Sequence, residues 1–202
     1  ACHARIASND KSTKVALPEV KLGLLPGGGG TQRLPRLVGL QAALDMMLTG
    51  KNVFPYPALK MGLVDKVVHV SSLQNAAQKM ALELVGKPIK RERNELNLET
   101  VKSGFPAIQK SLMGMVMEAP FVNKIVFTEA KKMVDKQAHG NYPAPYKIME
   151  CVEIGWNQGI EKGYAAEVEK FEELILSPVS RQLINIFFAM TDKKKNPYGE
   201  DK

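Results

Sequence analysis

The chain has 202 residues, 45% of them hydrophobic, 24% charged and 6% aromatic, with a net charge of +7. That length suits one domain or one domain with an appendage, and the apolar fraction is enough to bury a core, which excludes a disordered chain. Two cysteines, Cys2 and Cys151, and three histidines, His3, His69 and His139, are scattered along it with no CxxC pair or Cys/His cluster, which argues against a disulfide framework, a zinc site and a histidine base.

The basic excess fits a phosphate-bearing ligand, an anionic surface or nucleic acid. Lys131-Lys132 and Lys193-Lys194-Lys195 come as runs without interleaved aromatics, so nucleic acid is the weakest of the three. No uninterrupted apolar run approaches the ~18 residues that span a bilayer.

The amino end shows no initiator methionine, signal peptide or Arg-rich presequence and runs at once into a patterned segment, which suggests a start inside a domain. An apolar stretch to Ile6, a polar turn over 8–13 and Val15-Ala16-Leu17 predict two short strands around a turn, ended by Pro18. Glu19 to Leu25 leads into Pro26 and four glycines, Gly27 to Gly30, and Thr31 is the expected N-cap of the helix that follows. Leu40, Ala43, Leu44, Met47 and Leu48 recur at helical spacing up to Gly50. A short helix from about Pro57 to Met61 is closed by Gly62, Leu63 to Val68 reads as a strand, and Leu73, Ala77, Met80 and Leu84 mark another helix.

Gly86-Lys87-Pro88 breaks the chain, and past residue 90 strand-like alternation gives way to helical patterns, placing a boundary near 86–105. An apolar stretch from Leu112 to Phe127, flanked by Lys110, Lys124, Lys131 and Lys132, can pack in a core, cover an acyl chain or lie on an anionic membrane, with core packing the simplest account. Ser177-Pro178 has the N-cap and N1 arrangement of a fresh helix with Leu183, Ile184, Phe187 and Phe188 on one side. Lys193 to Lys202 is polar and punctuated by Pro197 and Gly199, as a linker to a further domain would be.

The chemistry concentrates at Pro18 to Leu34. A glycine run before a helix lets backbone approach a ligand and presents free amides at a positive helix end, where water or an anion can be held. Gly30 is followed by Thr31-Gln32 rather than Lys-Ser/Thr, so a Walker phosphate loop is excluded, and four consecutive glycines lack the dinucleotide GxGxxG spacing. A plain surface turn is the alternative. Glu19, between Pro18 and an apolar stretch, is a carboxylate drawn partly out of water and suited to proton transfer, with a solvated surface glutamate as its alternative.

Residues 18–34, Pro-Glu-Val-Lys-Leu-Gly-Leu-Leu-Pro-Gly-Gly-Gly-Gly-Thr-Gln-Arg-Leu, closely resemble the pattern Pro-Glu-x-x-x-Gly-x-x-Pro-Gly-x-Gly-Gly-Thr-Gln-Arg of enoyl-CoA hydratases, the crotonase family. Leu44 to Gly50 and Ala58 to Asp65 look like that family's downstream elements. Gly140-Asn141-Tyr142-Pro143-Ala144-Pro145 and Gly163-Tyr164 to Phe171 resemble the linker of the α subunits of the mitochondrial trifunctional enzyme and its bacterial relatives.

The resemblance implies an α/β crotonase-type spiral, its C-terminal half over 1–88. It also implies an all-helical region over 89–192 that completes the hydratase and links to a 3-hydroxyacyl-CoA dehydrogenase domain, and a charged linker over 193–202. In that family two glutamates hold a water that adds across a trans-2-enoyl thioester, while two backbone N–H groups stabilise the enolate. Glu19 matches the second glutamate and Gly27 the glycine whose N–H helps place the water. The first glutamate and both oxyanion donors fall upstream of Ala1, so an inactive fragment is expected.

Lys131 and Lys132 are the candidate cations for binding the acyl-CoA substrate. No cofactor is expected within the chain, since NAD belongs to the downstream dehydrogenase domain. A thiolase β subunit is the implied partner, and the implied location is mitochondrial, in the matrix or at the inner membrane. An enoyl-CoA isomerase and a non-catalytic helical scaffold for acyl-CoA, membrane or thiolase are the alternatives.

Overall fold

The computed structural model describes residues 2–87 and 120–193. Strand β1 (Ile6–Ser8) leads through a loop to a 3-10 helix (Glu19–Leu22) and the glycine turn, followed by α1 (Gly30–Val38), α2 (Leu40–Thr49) and α3 (Pro55–Met61). Strand β2 (Lys66–Val68), a short 3-10 turn and α4 (Leu73–Leu84) come next, and then α5 (Pro120–Ala138), α6 (Pro143–Gln158), α7 (Ile160–Ile175) and α8 (Pro178–Lys193).

The expected hairpin near the amino end does not form. β1 pairs in parallel with β2, Ala7 opposite Val67, while Val15 makes an isolated antiparallel bridge to Val53. The reason is local to residues 9–13: Asp10 turns back to accept from Ser12 N–H at 2.7 Å, and Asn9 N–H continues the ladder to Val68 O at 2.8 Å. Arg5 fixes the register, donating from Nε to Leu63 O and from its backbone N–H to Asp65, both at 2.7 Å. A parallel pair needs a long crossover, which α1 to α3 supply.

Helix limits follow the sequence closely elsewhere. Gly50 and Gly62 close α2 and α3 in the left-handed conformation, and α3 begins at Pro55, two residues before the expected start, because proline at the first helical position is pre-set for it. Ser177 Oγ accepts from Ser180 N–H at 3.1 Å, the expected cap of α8. Leu183 and Ile184 are half-buried there, but Phe187 and Phe188 stay in solvent, 52% and 59% exposed.

One hydrophobic cluster runs through both parts of the described chain, from Ala7, Leu25, Leu44 and Met47 to Ile148, Val152 and Leu174. α6 and α7 pack along each other, and both reach α1, while α5 and α6 close over α2. Within the apolar stretch expected from Leu112 onward, residues 112–119 lie outside the described residues; in α5, Phe127 is buried, Val126 half-buried and Ile125 exposed. No single helix among the described residues is long and apolar enough to cross a membrane.

Candidate active site

Glu19 opens the 3-10 helix, which Gly23 ends at φ 69°. Two elements hold this short helix. α2 packs on one side, and α8 approaches so closely that a Cβ on Gly23 would lie 3.1 Å from both Ser180 Cα and Leu183 Cδ1. Glu19 is half-buried, and its Oε2 is removed from solvent without a hydrogen-bond partner among the described residues. A buried carboxylate oxygen with nothing to accept from is costly to folding, and such costs persist where the group serves chemistry.

Eight residues further on, the glycine turn begins. Gly27 and Gly28 are exposed, whereas Gly29 is buried and takes φ 82°, a conformation that glycine adopts without strain. Thr31 is not the N-cap of α1; Gly29 occupies that position, and the Thr31 side chain is fully buried. Its capping role passes to Glu167 of α7, which is 2% exposed. Glu167 accepts from Gly29 N–H, from Thr31 N–H at 3.1 Å and from the Thr31 hydroxyl. The helix end expected to hold water or an anion therefore holds a carboxylate of the chain itself. Phe171, one turn along α7, lies against Gly27: a Cβ there would be 2.6 Å from its ring.

Neither Glu167 nor Phe171 stood out as a site residue in the sequence. Their one signal is periodic, since Gly163, Ala166, Glu167, Phe171 and Leu174 form the inward stripe of α7, and a carboxylate on such a stripe needs a buried partner.

Lys131 and Lys132 lie on α5, away from the glycine turn in the chain and engaged with acids of their own helix. Lys131 bridges to Asp135 at 2.9 Å and sits over the Tyr146 ring, and Lys132 bridges to Glu129 at 2.7 Å. The hydrogen bond from Lys131 holds the Asp135 carboxyl below the usual carboxylate range. Lys131 also lines a cavity of about 690 Å³ between α5 and α6, with Lys124, Phe127, Met149 and Trp156 on its walls. Among the described residues no cluster of His, Cys, Asp or Glu is placed to hold a metal.

Cys151 is fully buried beneath this assembly, where desolvation, and after it the nearby Glu167, push the thiol from an ordinary 9.0 up to about 12. The exposed Cys2 should therefore react with a thiol reagent at about pH 8 at once, and Cys151 only after unfolding; fast labelling of two thiols in the folded protein would contradict this burial. Because the folded value is raised, the protonated thiol's contribution to stability is complete below 9.0 and is lost as pH rises toward about 12.

Residues 1–100 match the enoyl-CoA hydratase/isomerase family. That segment belongs to it. Across nearly its whole length the chain also resembles fatty acid oxidation complex subunits alpha from Shewanella baltica, 47% identical, and Shewanella putrefaciens, 48% identical, each over 99% of the chain. The chain spans about a quarter, 26%, of the length of those relatives. The fold is that of crotonases with a helical C-terminal region. An enoyl-CoA hydratase/isomerase from Pseudoalteromonas atlantica superposes with TM-score 0.51 over 96% of this chain and 55% of its own, at 18% identity. These relatives correct the expected mitochondrial location: Shewanella are bacteria and have no mitochondria, so the resemblance to the α subunit does not carry that placement with it.

Proposed function

We propose that this chain supplies part of a hydratase site in a multifunctional fatty-acid β-oxidation subunit, converting trans-2-enoyl-CoA to 3-hydroxyacyl-CoA. The observation that carries the reading is the buried Oε2 of Glu19, unpartnered among the described residues and eight residues before a glycine turn, within a segment that matches the enoyl-CoA hydratase/isomerase family. Glu19 handles the proton that leaves water or arrives at the α carbon, and the exposed Gly27 N–H helps place the water. A second glutamate and two oxyanion donors complete the reaction from elsewhere in the longer protein, which on this reading also carries a 3-hydroxyacyl-CoA dehydrogenase and pairs with a thiolase subunit.

The test is product analysis with the full-length protein and a trans-2-enoyl-CoA substrate. A 3-hydroxyacyl thioester is the expected product, and residues 1–202 alone should give no turnover. A shifted double bond without hydration would replace the hydratase reading with the isomerase one, and no reaction of either kind would remove both.

A further inference from the structure

A turn of four glycines has little conformational preference of its own, yet an amide that places a reacting water must be held closely, since a displacement of about 1 Å can cost roughly 100-fold in rate. The turn's own segment supplies three backbone bonds, Gly30 N–H to Pro26 O at 3.2 Å, Gln32 N–H to Gly29 O at 3.3 Å and Arg33 N–H to Gly29 O at 2.9 Å, and the Arg33 guanidinium donates to Gly28 O. A further hold comes from α7, more than 130 residues away in sequence. Glu167 collects Gly29 N–H, Thr31 N–H and the Thr31 hydroxyl on one carboxylate, and charge-assisted bonds of this kind are about twice as strong as neutral ones. Phe171 fills the space beside Gly27 so completely that a methyl group there would overlap its ring.

We infer that Glu167 and Phe171 are positioning residues for the glycine turn, fixing where the Gly27 amide points from a helix that lies outside the family-matched residues. Glu167 saturates the positive end of α1, so that the helix end does not draw in a substrate anion, and the remaining exposed amides are those at the tip of the turn. Phe171 keeps water from one side of Gly27, and this leaves the opposite side for the reacting water. The inference rests on the hydratase reading for its consequence in turnover, but not for its effect on the turn.

The test uses the full-length protein and two readouts, peptide-resolved hydrogen exchange across 24–34 and steady-state hydration of an enoyl-CoA. Glu167→Gln preserves shape but removes the charge and one acceptor oxygen. It should speed exchange in the turn by about tenfold or more while peptides of α2 keep their protection, and should lower kcat by about tenfold with KM little changed. Phe171→Leu keeps the core apolar and should produce a smaller change of the same kind, which keeps the inference testable if Glu167→Gln fails to fold. Glu167→Asp, with the charge restored, should recover part of both losses. Exchange rising equally in the turn and in α2 would mean general destabilisation and would overturn positioning, as would a loosened turn with unchanged kcat. If the parent protein shows no hydration at all, the hydratase reading falls, and the exchange result alone decides whether Glu167 and Phe171 hold the turn.

Discussion

Full-length protein carrying Glu19→Gln loses about 10²- to 10⁴-fold in kcat for hydration of an enoyl thioester, with little change in KM, because the amide keeps the shape of the carboxylate but cannot exchange its proton. The same substitution is expected to leave stability unchanged or raise it by about 1 kcal/mol. The two outcomes have one cause. Oε2 of Glu19 is buried with no partner among the described residues, so replacing the carboxylate by an amide breaks no hydrogen bond at that atom. A glutamate kept only for structure would behave in the opposite way, with stability falling and turnover following it. Denaturant midpoints measured beside kcat separate the cases: retention of turnover within about tenfold, or a clear loss of stability, would remove Glu19 from the chemistry.

The two ends of this site differ in how far the sequence exposed them. The segment from Pro18 to Leu34 is contiguous, so its glycines, its proline and Glu19 were visible as one unit, and Gly50 and Gly62 announced the helix ends they close. Thr31 was misread as a cap for the opposite reason. A threonine before a helix ordinarily turns its hydroxyl to its own backbone, and here a carboxylate 136 residues away offers a stronger, charged acceptor to that hydroxyl and to two amides together. The hairpin expected near the amino end fails in the same manner, since β1 finds its partner at Lys66–Val68 across three intervening α-helices. Local chemistry reads a turn well and does not reveal which distant element lies on it. Lys131 and Lys132, the candidate cations for acyl-CoA, each have an acidic neighbour within about one helical turn, Asp135 and Glu129.

The largest stability effects should come from the crossing of α6 and α7, where Gly155 and Gly163 enclose the fully buried Gln32 of α1. Gln32 Nε2 donates to Thr31 Oγ1 and to Cys151 O, both at 2.9 Å, while its Oε1 has no N–H or O–H partner among the described residues and lies where each glycine directs an Hα, a weak C–H···O arrangement. Replacing glycine by alanine inside a helix ordinarily gains about 1 kcal/mol. Here the sign should reverse. A Cβ on Gly155 would overlap Gln32 Oε1 and lie 2.6 Å from its Cδ, and Gln32 cannot retreat without giving up both hydrogen bonds, so Gly155→Ala should lose about 2 kcal/mol net. Gly163→Ala should lose more, because its Cβ would also lie 2.7 Å from Gly155 Cα, which is backbone and cannot rotate away. This difference sets the decisive comparison. In a Gln32→Ala background the Gly155→Ala methyl enters vacated space, and the pair should be less destabilised than the sum of the single changes by at least about 1 kcal/mol, whereas Gly163→Ala should gain little from the same background. Equal rescue of both, or a Gly155→Ala protein more stable than the parent, would mean that α6 and α7 do not close on Gln32 as described, and the anchoring of α7 over the glycine turn would lose its foundation.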